Sequence, residues 1–214
     1  DLRRGVPTVN QVWNNKISVL VGDFLFSKTL TAMLDLRDHD ALAIISETAK
    51  LITEGELLQV AHDQDFELSE ESYFDLISKK TAALFRASCE LGAISTSDDP
   101  KDRQSMRDFG ENFGVAFQIK DDLLDYVGEE STIGKPTGND IRENKVTLPL
   151  IYALKNSKEN HKNEMIHLLE NGIDEDNKVS RIVDFVQNEG GVKYSTKIAT
   201  EFGEKANSIL EQYN

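Results

Sequence analysis

Cysteine is nearly absent from this chain, and its single residue, Cys89, rules out an internal disulfide framework. It reads instead as a helix-buried thiol in a reducing cytosol. Only 4 prolines occur in 214 residues, no Gly/Ser-rich stretch divides them, and residues 1–214 read as a single globular domain. Basic charge is in short supply: 24 Lys plus Arg face 38 Asp plus Glu, for a formal net charge of -14. This argues against nucleic acid or an anionic membrane surface as partner, since both need a basic footprint. No uninterrupted apolar run reaches membrane-spanning length, so no transmembrane segment is expected. His39, His62, His161 and His167 lack both a helical i,i+4 pair and zinc-ligand spacing. The chain opens at Asp1 with neither Met nor a signal-peptide pattern, which reads as a cut inside a larger domain whose upstream part is absent.

Helical periodicity dominates what remains. Val12, Ile17, Leu20, Val21, Phe24, Leu25 and Leu30 predict a long, largely buried helix to about Leu36, with Trp13 in the core and Gly22 permitting close helix approach. A second helix is expected over 41–60, interrupted by Glu54-Gly55-Glu56 and Gln59. A mid-helix glycine costs about 1 kcal/mol, so a packing or pocket reason is implied. After a loop over 62–68, Ser69 is placed to cap a third helix, in which Lys79-Lys80-Thr81 lies between Leu76-Ile77 and Leu84-Phe85. Such lysines either snorkel or face a polar cavity. Thr147-Leu148-Pro149 opens another helix, and shorter amphipathic helices follow at about 164–169, 178–188 and 192–213. Strand-like alternation is missing. The fold class is therefore all-α, an antiparallel helix bundle around a central cavity.

The fourth helix carries the chemistry. Asp99 as N-cap and Pro100 as first residue start it, and Gly128 lies just past its end. Its last turns read Phe117-Gln118-Ile119-Lys120-Asp121-Asp122-Leu123-Leu124-Asp125. Asp121 and Asp125 stack one turn apart, Asp122 is three residues from Asp125, and Gln118 lies one turn below Asp121, while Phe113, Ile119 and Leu123 can face a core. Crowded carboxylates repel unless a cation sits among them, and hard oxygen donors suit Mg²⁺ sharing a phosphate. In so acidic a chain the same pattern also arises as a solvated helix face, so its neighbours must decide. Arg3-Arg4, punctuated by Gly5 and Pro7, presents two guanidiniums in a polar turn; each can hold a phosphate in bidentate fashion, though a solvated basic pair is the plain alternative. Beyond the Asp stretch, three glycines and a proline around Lys135 suggest a flap able to bring an ammonium back over the carboxylates, and Lys145 follows Asn144.

Taken in order, Leu2-Arg3-Arg4-Gly5-Val6-Pro7-Thr8, Val21-Gly22-Asp23, Gly55-Glu56-Leu57-Leu58-Gln59, Lys80-Thr81, Phe117 to Asp125 and Gly134-Lys135 through Lys145 to Pro149 resemble the landmarks of trans-polyprenyl diphosphate synthases. Trp13 and the Gly22-Asp23-Phe24-Leu25 wording resemble long-chain members more than farnesyl-type ones. The resemblance implies the isoprenoid synthase fold and Mg²⁺-dependent, head-to-tail condensation of isopentenyl diphosphate with an allylic prenyl diphosphate. It implies that Arg3, Lys80, Thr81, Gln118, Lys135 and Lys145 surround the allylic diphosphate and that Arg4 holds isopentenyl diphosphate, with Lys80, Thr81, Gln118 and Lys135 acting in catalysis. Asp121 would bind metal directly, and Asp122 and Asp125 through water. A cytoplasmic homodimer is the implied state. Two departures stand out: the family's first Asp-rich motif is not in this sequence, so the chain alone is expected to be inactive, and Asn144 stands where a Gly is expected before Lys145. The competing readings are a non-catalytic partner subunit of a heteromeric synthase, which would lose ligands, and a terpene cyclase, which would carry a different second metal motif.

Overall fold

The computed structural model describes residues 2–3, 6–127, 138–171 and 176–213, with side chains described for all but 2–3 and 176–178. Its contacts form two compact units, Asp1–Glu47 and Thr48–Asn214.

In the first unit, β1 (Leu2–Arg3) pairs antiparallel with β2 (Val6–Pro7), Leu2 opposite Pro7 and Arg3 opposite Val6. The expected polar turn is thus a minimal hairpin. α1 (Val9–Val12) precedes α2 (Asn15–Leu36), and the break between them is chemical: the Ile17 N–H donates to Asn14 Oδ1 at 2.9 Å, so Asn14 caps a new helix instead of continuing the old one.

Burial in this unit differs from expectation. No described residue of α2 is buried; Trp13 is 69% exposed and Phe24 60%. An apolar pattern states that a surface avoids water, not which surface will cover it. By length and composition α2 is also apolar enough to cross a membrane, although charged residues interrupt it. Asp23 and Lys28 lie near its middle, and each would cost roughly 2.5–3.5 kcal/mol at a bilayer centre. α3 (His39–Ala61) starts in this unit and continues into the second.

The second unit contains α4 (Glu70–Ile77), a π-helical turn (Ser78–Ala82), α5 (Ala83–Ile94), α6 (Pro100–Val127), α7 (Asn139–Arg142), α8 (Leu148–Asn156), α9 (Glu159–Glu170), α10 (Asp176–Asn188) and α11 (Gly191–Leu210). Both expected caps are present. Ser69 Oγ accepts the Ser72 N–H at 3.0 Å, and Asp99 Oδ1 accepts that of Lys101 at 2.9 Å. α6 packs along α5 on one side and α11 on another, with the π turn and α8 also against it. The C-terminal helices therefore buttress the helix that carries the Asp residues.

Ile119 and Leu123 are buried in that core together with Leu148, Ile182 and Val186. Phe113, expected beside them, is 42% exposed. Six residues separate it from Ile119, about 240° of helix rotation, so the two cannot share a face. Phe113 instead packs on Phe85 and Phe109, with ring centroids 5.2 and 5.8 Å away.

Candidate active site

The π turn is the first feature that a sequence of ordinary helical spacing does not announce. A π turn is wider than an α turn and occurs mostly as a single insertion at functional sites. Here it holds Lys80 and Thr81. α3 can approach it closely because residue 55 is glycine: a Cβ at Gly55 would lie 2.7 Å from the Lys80 backbone nitrogen. Lys80 Nζ then donates to Glu56 Oε2 at 3.2 Å and to Gln59 Oε1. The polar interruption of α3 thus has its packing reason. Lys79 turns away to Asp75, 2.8 Å distant.

Thr81 begins a directional chain of hydrogen bonds. Its hydroxyl donates to Gln118 Oε1 at 2.7 Å, Gln118 Nε2 donates to Asp122 Oδ1 at 2.7 Å, and the Tyr73 hydroxyl donates to Asp122 Oδ2 at 2.6 Å. Asp122 is 5% exposed and Tyr73 1%. Burial pushes the Asp122 carboxyl up to about 7; the Tyr73 and Gln118 hydrogen bonds oppose this, and the charges of Asp140 and Asp121 add to it.

Asp125 ends the helix differently. Its carboxylate accepts the Asn139 N–H at 3.0 Å and the Asp140 N–H at 2.9 Å, which caps α7. Burial and the nearby Asp140 raise its pKa, while those backbone donors pull it back. Gly138, just before α7, has φ +76, and a Cβ there would meet Val179 at 2.2 Å, so only glycine fits.

Lys145 donates to Asp140 Oδ1 at 3.1 Å and to Glu143 Oε2 at 2.6 Å. Burial works against its charge, but Glu143 and Asp140 overcome this and hold the ammonium above its ordinary range. The Asn144 departure leaves this geometry intact for a physical reason. Asn144 has φ +55, in the left-handed region that glycine enters freely and asparagine more readily than other side chains.

Asp121 is exposed and has no hydrogen-bond partner among the described residues. The three predicted metal ligands are thus unequal among the described residues: Asp122 turns inward, Asp125 is used by backbone, and Asp121 is exposed to solvent. Among the described residues no three acidic, His or Cys side chains form a ready-made metal cluster. This donor set fits a magnesium ion that keeps most of its waters, takes one carboxylate directly and completes its shell with ligand phosphate. The mutual repulsion of Asp121, Asp122, Asp125 and Asp140 supplies the electrostatic reason for a cation there.

Structure brings Lys80, Thr81, Gln118, Asp121, Asp122, Asp125 and Lys145 into one unit. Arg3 is described only as backbone of β1, and Arg4 and Lys135 lie outside the described residues. Tyr73 and Asp140 were not anticipated. Tyr73 resembles any core aromatic in sequence, whereas Asp140, following Gly138-Asn139, carries the recognisable signal of a polar residue at a helix start. A cavity of about 250 Å³ lies elsewhere, between Leu68, Ile151 and Leu154 among others.

The polyprenyl synthetase family model matches residues 1–186. The chain belongs to that family. It is 38% identical to the all-trans-nonaprenyl-diphosphate synthase (geranyl-diphosphate specific) of Rhodobacter capsulatus, over 98% of this chain and 64% of that protein. It is 34% identical to a short chain isoprenyl diphosphate synthase of Methanothermobacter thermautotrophicus, over 99% and 66%. The polyprenyl synthase of Caulobacter crescentus CB15, solved with calcium and isoprenyl diphosphate, superposes with a TM-score of 0.90 at 35% identity, covering 99% of this chain and 64% of that one. The polyprenyl synthetase chain described here therefore has the all-α isoprenoid synthase fold and spans about two thirds of the length of these relatives.

Proposed function

We propose that this chain contributes the second metal site and part of the diphosphate site of a trans-polyprenyl diphosphate synthase, joining isopentenyl diphosphate head-to-tail to an allylic prenyl diphosphate. The observation that carries this reading is the hydrogen-bonded link from Thr81, beside Lys80 on the π turn, through Gln118 on α6 to Asp122, with Asp121 and Asp125 on the same helix.

In the reaction the allylic carbon–oxygen bond breaks and diphosphate leaves. The double bond of isopentenyl diphosphate attacks the allylic carbon, forming the new carbon–carbon bond, and a proton is lost. Magnesium bound at Asp121, with Asp122 and Asp125 acting through water, would supply positive charge beside the departing diphosphate. Lys80, Lys145 and Lys135 would contribute ammonium groups, and Thr81 and Gln118 hydrogen-bonding groups, to the same anion. A close cation contributes about 4 kcal/mol of gross Coulomb energy at an effective dielectric near 20. No side-chain nucleophile is required. Lys80 is held by Glu56 and Gln59, so ligand binding exchanges these partners for phosphate oxygens. Arg3 and Arg4 would serve the allylic diphosphate and isopentenyl diphosphate respectively.

The exposed apolar surface of α2 supports a homodimer, and the lone thiol and acidic balance support a cytoplasmic location. The decisive experiment is incorporation of radiolabelled isopentenyl diphosphate by the intact polypeptide that carries this chain, with allylic primers of several lengths, with and without Mg²⁺. Label in an organic-extractable product only with Mg²⁺ supports the reading, and no incorporation with any primer overturns it. Light scattering reads the dimer separately, and a monomer at micromolar concentration refutes it.

A further inference from the structure

The Tyr73–Asp122 pair joins two buried groups that lie 49 positions apart in the chain. Tyr73 sits on α4 at 1% exposure, and its hydroxyl has one acceptor, Asp122 Oδ2, at 2.6 Å. The other oxygen of that carboxylate takes Gln118 Nε2 at 2.7 Å. When ionised, the Asp122 carboxylate accepts only, so Gln118 then presents its NH₂ to Asp122 and its carbonyl oxygen to Thr81, whose hydroxyl donates to it at 2.7 Å. The amide cannot flip without facing oxygen with oxygen. One of the two amide hydrogens remains for a ligand.

From this geometry we propose that Tyr73 is a positioning residue of the diphosphate site. By holding Asp122 turned inward, it sets the orientation of Gln118 and Thr81 and leaves Asp121 as the carboxylate open to metal. Without the hydroxyl, Asp122 Oδ2 would be a buried acceptor lacking its donor, and the carboxylate would swing to find one. Gln118 would then lose its fixed donor direction. Tyr73 is buried and its hydroxyl donates to Asp122, so its influence passes through that carboxylate. This inference rests on the diphosphate-binding reading above.

Tyr73→Phe keeps the ring, and hence its edge-on packing against Phe74 at 5.6 Å, and removes only the hydrogen bond. Tyr194→Phe is the control: its hydroxyl also donates to an acid, Glu70, in the same unit, outside the proposed site. Calorimetric titration of inorganic diphosphate in Mg²⁺ reads binding without turnover. Tyr73→Phe should weaken diphosphate binding about tenfold, the size of a lost hydrogen bond to a charged group, and raise the Mg²⁺ concentration needed for half-maximal binding. Tyr194→Phe should leave both unchanged even where it lowers the melting temperature equally. In an Asp122→Asn background, adding Tyr73→Phe should have less than about a twofold further effect, because a residue acting through Asp122 has little left to act on. Equal diphosphate binding by wild type and Tyr73→Phe, or the same loss in Tyr194→Phe, overturns this proposal alone. A wild-type protein that binds no diphosphate in Mg²⁺ overturns the proposed function and this inference with it.

Discussion

Asp125 at the end of α6 accepts the backbone N–H of Asp140 at the start of α7, 2.9 Å away. One carboxylate thereby brings a second to the same place, which is unfavourable unless cations balance them. Lys145, 3.1 Å from Asp140, supplies one, and a divalent ion at Asp121 would supply another. The same contact gives Asp125 surroundings unlike those of Asp121 and Asp122.

In the intact polypeptide that carries this chain, Asp121→Ala should lower kcat far more than Asp125→Ala, because the proposed function makes Asp121 a direct metal ligand and Asp125 a water-mediated one. Thermal melting should rank them oppositely. Asp125→Ala removes a helix cap, worth about 1 kcal/mol, whereas the exposed Asp121 should change stability by less than about 0.5 kcal/mol. Parallel kinetics and melting curves on both variants check the crossing; equal losses in kcat would refute the ranking.

Asp122 predicts a pH signature. Burial, opposed by the Tyr73 and Gln118 hydrogen bonds, lifts its folded-state pKa to about 7 from its ordinary value of 3.8. The folded state then binds the proton more tightly than the unfolded chain does. This group's contribution favours folding at low pH and is lost as pH rises from about 4 to about 7, with a slope approaching 1.4 kcal/mol per unit. In metal-free buffer, Asp122→Asn should flatten the fall in denaturation midpoint across that window. An unchanged slope would mean that Asp122 is ionised throughout.

Gly55→Ala should destabilise the protein by about 1–3 kcal/mol, the usual cost of forcing atoms into a packed contact. The new Cβ would meet the nitrogen and Cα of Lys80 at 2.7 and 2.8 Å, and backbone cannot give way as a side-chain tip can. Since Lys80 itself is pushed, diphosphate affinity should fall as well. Chemical denaturation together with diphosphate titration measures both effects.

At position 144 the two obvious substitutions should act in opposite directions. Asn144→Ala places a less tolerant side chain at φ +55 and should cost about 1 kcal/mol. Asn144→Gly relieves that conformation and removes Oδ1, a buried oxygen without a hydrogen-bond partner among the described residues, so it should be neutral or stabilising by up to about 1 kcal/mol. Melting temperatures decide the order.

Much of the candidate site's geometry was legible because helical spacing is rigid. Residues 118, 121 and 125 had to share one end of α6 once Asp99 and Pro100 started the helix. Glu56 and Gln59 interrupted an apolar helix, and a functional partner could be expected without being named. Lys80 could not be named as that partner, because the π turn that presents it depends on how α3 and α4 meet. Phe113 was misplaced by grouping residues that the helix rotates apart, and α2 by equating an apolar surface with a covered one.

The sequence by itself determined the helices, their caps and the acidic end of α6, because these follow from periodicity and local hydrogen bonding within a few residues. It also determined the family, through ordered landmarks spread over most of the chain. Tertiary structure alone decided which way each carboxylate turns. Asp121 and Asp122 are adjacent and chemically identical, and what separates them is a tyrosine hydroxyl donated from 49 positions away, a contact that exists only once α4 has packed against α6.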